Sequence, residues 1–173
     1  PVPSATPTLN TLIVDAENYR VIEVDANKNI VWKYPDGPKS SSTLRPKYAS
    51  RTPNGNTLIA TGSAVIEVNP AKNIVWTYGS PNTPSVNRYV SAERLGNGNT
   101  LIADADYYSN PPAGYGLYNG RVIEVNPAQN IVWEYTAEID HDYLLPGLEN
   151  QNYAGKYYKQ KLDPRSAFRL FNG

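Results

Sequence analysis

The chain has 173 residues with 16 basic and 16 acidic side chains, no cysteine, no methionine, 15 prolines and 14 tyrosines. The lack of cysteine excludes disulfides, thiolate metal sites and cysteine chemistry. A net charge of zero with no basic run argues against nucleic acid or an anionic membrane as partner, and no apolar stretch approaches the ~20 residues of a membrane span.

Residues 1–8, Pro-Val-Pro-Ser-Ala-Thr-Pro-Thr, read as an extended N-terminal segment. Its Ser4, Thr6 and Thr8 are compositional candidates for O-glycans. The start without an initiator Met, and a composition low in charge and high in Pro and Tyr, suggest an already processed, β-rich product that is secreted or displayed at the cell surface.

Residues 9–173 read as one domain built on an internal repeat. Its first unit, 9–34, carries Thr-Leu-Ile at 11–13, Val-Ile-Glu-Val at 21–24 and Asn-Ile-Val-Trp at 29–32. The same three runs return in 47–78 and in 89–135. Short Val/Ile/Thr-rich runs bounded by Asn, Gly and Pro predict strands. The five-residue spacers that open on Asp25, Asn69 and Asn126 are turn chemistry. The second and third units also have a lead-in strand, and an Asn-Gly pair follows it as a hairpin signal. Each complete unit is thus a four-stranded antiparallel meander. The Asn-Thr-Leu starts at 10, 56 and 99 give the spacing of a β-propeller blade. Strands are predicted over 9–14, 20–25, 29–34, 47–52, 57–61, 64–69, 73–78, 89–95, 100–105, 121–126, 130–135 and 166–171.

The repeated pattern Asn-Gly-Asn-Thr-Leu-Ile-Ala-Asp, Arg-Val-Ile-Glu-Val-Asn-Pro and Asn-Ile-Val-Trp-Glu-Tyr resembles the blade repeats of the arylsulfotransferase-like and quinoprotein-like (PQQ-like) β-propellers. The resemblance implies the fold and says little of function, because such blades serve many functions.

The terminal stretch Ser166, Ala167, Phe168, Arg169, Leu170 and Phe171 matches the lead-in strands, whereas the first unit has none. The expected architecture is therefore all-β, with three blades' worth of strands and one blade split between the termini. Propellers typically close with four to eight blades, so three call for a second copy. The terminal strand is expected to pair with an acceptor strand formed by Asn10, Thr11, Leu12, Ile13 and Val14 of a neighbouring molecule. Two insertions interrupt the repeat, at 107–120 and 136–165. The second, 30 residues long, could tether the terminal strand.

Trp32, Trp76 and Trp133 recur at one position and are expected to be buried between blades, with Tyr34, Tyr78 and Tyr135 beside them. Glu23, Glu67 and Glu124 recur as well, as do Arg51, Arg94 and Arg169, which points to structural ion pairs. The asymmetric features are fewer. Tyr107, Tyr108, Tyr115 and Tyr118 make a candidate recognition loop for a glycan or another subunit. His141, the only histidine, stands between Asp140 and Asp142. The resemblance to arylsulfotransferases suggests a sulfuryl-carrying histidine, but no Arg/Lys cluster adjoins this one in sequence. Asp15, Glu17, Asp104 and Asp106 lack the spacing of known calcium loops. No cofactor or catalytic set is expected. The function expected is a non-enzymatic extracellular protein that assembles with copies of itself by strand exchange, as a filament or a multi-chain ring. A lectin-like binding module is the alternative, and an arylsulfotransferase-like enzyme comes third.

Overall fold

The structure, a computed structural model, describes residues 9–37, 44–80, 89–105, 107–108, 117–118, 120–136, 138–143, 158–161 and 166–169. Every regular element among them is a strand except one 3-10 turn, Ala16–Asn18. The β-branched runs form the strands of three antiparallel meander sheets. In the first sheet β1 (Thr11–Asp15), β2 (Arg20–Val24) and β3 (Ile30–Tyr34) lie in that order. The second has β4 (Pro46–Arg51), β5 (Thr57–Thr61), β6 (Ala64–Val68) and β7 (Ile74–Gly79). The third has β8 (Tyr89–Arg94), β9 (Thr100–Asp104), then β12 (Arg121–Val125) and β13 (Ile131–Tyr135). Between β9 and β12 stands a short hairpin, β10 (Tyr107–Tyr108) with β11 (Leu117–Tyr118). A last hairpin pairs β14 (Glu138–Tyr143) with β15 (Tyr158–Lys161).

Turn chemistry explains why the three meanders match. At residues 25–29 the Asp25 side chain accepts from the backbone N–H of Asn27 and of Asn29, at 2.9 and 2.8 Å. Asn69 and Asn126 accept from the N–H of Asn73 and Asn130 in the same way, each at 2.9 Å. Each loop places its fourth residue in the left-handed region, Lys28, Lys72 and Gln129 at φ 68, 69 and 68°. Each then feeds a register shift after the strand glutamate. Left-handed backbone costs an L-residue other than glycine roughly 1–2 kcal/mol. Gln129→Gly is therefore expected to raise stability by about 0.5–1 kcal/mol, the remainder being lost to glycine's larger unfolded-state entropy. Thermal unfolding checks this, and a lowered midpoint would contradict it.

The second sheet is packed on both faces, and its alternating side chains divide between two cores. Ile59, Ala64, Ile66 and Val68 join Val21 of the first sheet, with Leu12, Trp32 and Tyr34 at the margin. Leu58, Ala60 and Val65 join Tyr89, Ala92, Ile102, Ile123 and Val125 of the third, flanked by Trp76 and Tyr78. This is why β5 and β6 are buried along their whole length. Gly79 permits one close approach, since a Cβ there would stand 2.7 Å from both the Ser63 carbonyl and the Tyr89 ring. The first strands of successive sheets lie side by side, β4 against β1 and β8 against β4 and β5.

Two segments differ, within a single chain, from the expected strand list. Residues 166–169 carry no strand, while Leu170 and Phe171 lie outside the described residues. Within one chain β1 is hydrogen-bonded to β2 alone among the described residues, so the first sheet has three strands where the others have four. The insertion 136–165, read as a connector, contributes the β14–β15 hairpin.

Candidate assembly interface

The recurring Glu, Arg and Trp residues converge at each junction between sheets. Glu67 lies on β6, where the turn between β4 and β5 brings two asparagine side chains to it. Asn56 Nδ2 donates to Glu67 Oε1 at 2.7 Å and Asn54 Nδ2 at 3.4 Å. The other carboxylate oxygen accepts from Arg94 of the following sheet. Arg94 also donates to the carbonyl of Gly98 in its own turn, at 2.9 Å. Its guanidinium lies over the Trp76 ring, 5.0 Å from the centroid. The arginine is thus held by its own sheet and latched onto the carboxylate and indole of the preceding one.

The first junction repeats this arrangement. Arg51 bonds Glu23, donates to Thr57 Oγ1 at 2.6 Å and lies 4.9 Å from the Trp32 centroid. Asn10 Nδ2 donates to Glu23 Oε1 at 2.8 Å. That amide hydrogen bond, with Arg51 adding to it and burial opposing, holds the Glu23 carboxyl below its ordinary range.

A third copy of the latch closes on the terminal segment. Arg169 bonds Glu124 of β12 and lies 5.0 Å from the Trp133 centroid. Asn99 and Asn97 donate to Glu124 Oε1 at 2.7 and 3.1 Å. The backbone N–H of Arg169 is 3.4 Å from Glu93 Oε2. Asn99 chiefly, then Asn97 and the charge of Arg169, keep the Glu124 carboxyl below its usual range against the effect of burial. Arg169 therefore stands toward the third sheet as Arg51 and Arg94, at the ends of β4 and β8, stand toward the first and second.

The tryptophans differ from expectation. Trp32 and Trp76 are half-buried, and Trp133 is 42% exposed. All three lie on the last strand of their sheet, and Arg169 stands over Trp133 as Arg51 and Arg94 stand over Trp32 and Trp76. Each indole stacks on the tyrosine two residues on, with centroids 6.3–6.4 Å apart. Trp76 Nε1 also donates to the Pro127 carbonyl at 3.0 Å, a bond across the second junction.

Tyr107 and Tyr118 are paired across the β10–β11 hairpin, Tyr108 faces Leu117, and Tyr115 lies outside the described residues, as do Ser4, Thr6 and Thr8. His141 falls within β14. The Asp15 carboxylate is bonded to Arg20 at 2.7 Å and to Asn18, and the fully buried Asp104 pairs with Arg121 at 3.1 Å. Asp106 lies outside the described residues, among which no three acidic, His or Cys side chains could hold a metal ion.

No family model and no curated protein matches this chain. Among solved structures it is similar to a protein of unknown function from Bacteroides caccae, at 16% identity and a TM-score of 0.51. The match covers 73% of this chain and 40% of that one, so the chain spans less than half the length of this neighbour. At this identity the likeness is one of fold alone.

Proposed function

We propose that this chain is a non-enzymatic, extracellular structural protein made of β-propeller-type blades, whose copies join head to tail by exchange of the terminal strand. The observation that carries the reading is Arg169. It occupies on the third sheet the Glu–Trp position that Arg51 and Arg94 occupy on the first and second. In those two cases the arginine ends the first strand of the next sheet. Residues 166–169 then begin a fourth blade, and the three-stranded first sheet of a neighbouring copy supplies its remainder. Such contacts are heterologous, giving a ring where the rotation closes and a filament where it does not. The repeated Glu and Arg side chains are engaged in structural bonds at every junction, which favours a scaffold over a catalyst.

Deleting residues 166–173 tests the proposal. The parent is expected to run as a multiple of its 19.1 kDa chain mass in light scattering, and the deletion as single chains. A monomeric parent, or assemblies unchanged by the deletion, would overturn it.

A further inference from the structure

We infer that the outer edge of β1 receives residues 166–169 of a second copy in one register, with Arg169 opposite Thr11, Phe168 opposite Leu12, Ala167 opposite Ile13 and Ser166 opposite Val14. This rests on the strand-exchange reading above and specifies which residue meets which.

The two complete sheets provide the template. In the second, Arg51 faces Thr57, Ser50 faces Leu58, Ala49 faces Ile59 and Tyr48 faces Ala60. In the third, Arg94 faces Thr100, Glu93 faces Leu101, Ala92 faces Ile102 and Ser91 faces Ala103. In both, the arginine stands six residues before the threonine that it faces. Arg-Leu-Phe-Asn-Gly at 169–173 matches Arg-Thr-Pro-Asn-Gly at 51–55 and Arg-Leu-Gly-Asn-Gly at 94–98, and Asn10 and Thr11 match the Asn-Thr pairs at 56–57 and 99–100 that follow them.

The edge itself fits an occupant of this kind. β5 and β9 are buried at all five positions, whereas on β1 Thr11 and Ile13 are exposed and the other three half-buried. Ile13 is 38% exposed and Phe168 63% exposed, so each half of the joint presents apolar surface that pairing would cover. Ala167 matches Ala49 and Ala92, the small residues that face an isoleucine in the complete sheets. The free N–H and C=O groups of an edge strand give a main-chain template for strand addition.

The occupant is a second copy because the donor is already held elsewhere. Arg169 stays on Glu124 and Trp133 of its own third sheet, while the first and third sheets pack on opposite faces of the second. The register also completes a polar site. Beside its arginine, Glu67 and Glu124 each accept from two asparagines, whereas among the described residues Glu23 accepts from one asparagine, Asn10. The one asparagine lacking is the counterpart of Asn54 and Asn97, which stand three residues after Arg51 and Arg94, and Asn172 stands three residues after Arg169.

Cysteine pairs test the register, because the chain has no cysteine of its own. Ile13→Cys and Leu12→Cys are each mixed with Ala167→Cys and with Phe168→Cys, then oxidised and run on non-reducing gels. Opposed residues on paired strands come within reach of a disulfide, whereas a one-residue slip turns the side chains to opposite faces. Ile13→Cys with Ala167→Cys and Leu12→Cys with Phe168→Cys are expected to give a covalent dimer, at yields about tenfold above the two crossed mixtures. Higher yield in the crossed mixtures would overturn the register and leave strand exchange standing. No covalent dimer in any mixture, with assembly intact by light scattering, would overturn β1 as the joint. Loss of assembly in the parent itself would remove the underlying proposal as well.

Discussion

Replacing Glu67 with alanine is expected to destabilise the protein by about 3–5 kcal/mol, the range for removing one partner of a buried ion pair. The Glu67 side chain is 8% exposed and that of Arg94 14%, the most sheltered of the three latches. Truncation leaves Arg94 without its carboxylate and the Asn54 and Asn56 amides without their common acceptor. Glu67→Gln keeps an acceptor for part of this set and is expected to cost less. At the first junction the pair is more open, with Arg51 32% and Glu23 19% exposed, so Glu23→Ala should cost about 1 kcal/mol. Urea denaturation of the three variants measures the differences. A Glu67→Ala variant within 1 kcal/mol of the parent would show that the latch is an ornament on sheets held by their cores.

Trp76→Ala is expected to cost about 2–4 kcal/mol, somewhat under the range for fully buried Trp truncation. The indole is half-buried beside the second core, stacks on Tyr78, carries the Arg94 guanidinium and donates to the Pro127 carbonyl. Trp133 has the equivalent arginine and tyrosine contacts but lies 42% exposed. In the deletion lacking residues 166–173, Trp133→Ala should cost below about 1 kcal/mol, as for an exposed position. The deletion removes Arg169, so the comparison measures what the core, the arginine and the Pro127 bond together add to the tyrosine stacking that both indoles keep. Equal costs for the two tryptophans, read from urea midpoints, would mean that these three contacts together contribute little at Trp76.

The strands of the three meanders were legible in the sequence because their signals are local, whereas the hairpins inside the two insertions were not foreseen. Thr-Leu-Ile, Val-Ile-Glu-Val and Asn-Ile-Val-Trp repeat three times, and Asp25, Asn69 and Asn126 open turns by bonding their own backbone. Which sheet each side chain would face was not legible. Arg51 reaches back to Glu23 across 28 residues and Arg94 to Glu67 across 27, and nothing local to either residue names its partner. The Ile-Val pairs of the outer strands mislead in a related way. Ile30, Val31, Ile74, Val75, Ile131 and Val132 are β-branched and apolar, yet all are exposed, on β3, β7 and β13, which are edge strands of their sheets among the described residues. The tryptophans share those strands, which is why their expected burial was too high. Residues 166–169 match a lead-in strand in sequence, but a ladder needs a second strand as well as a suitable first one.

The repeated latch makes stability a property of junctions between neighbours, as in repeat proteins whose units contact only the next unit. The second sheet has a junction on each side, and the first has only one among the described residues. Joining copies end to end would give every first sheet its second junction. Association and folding would then be linked, and the melting temperature would climb with protein concentration, because the joined state binds a partner that the unfolded chain cannot hold. For such a protein, dilution itself acts as a denaturant, and the weakest point along the chain is whichever end has lost its neighbour.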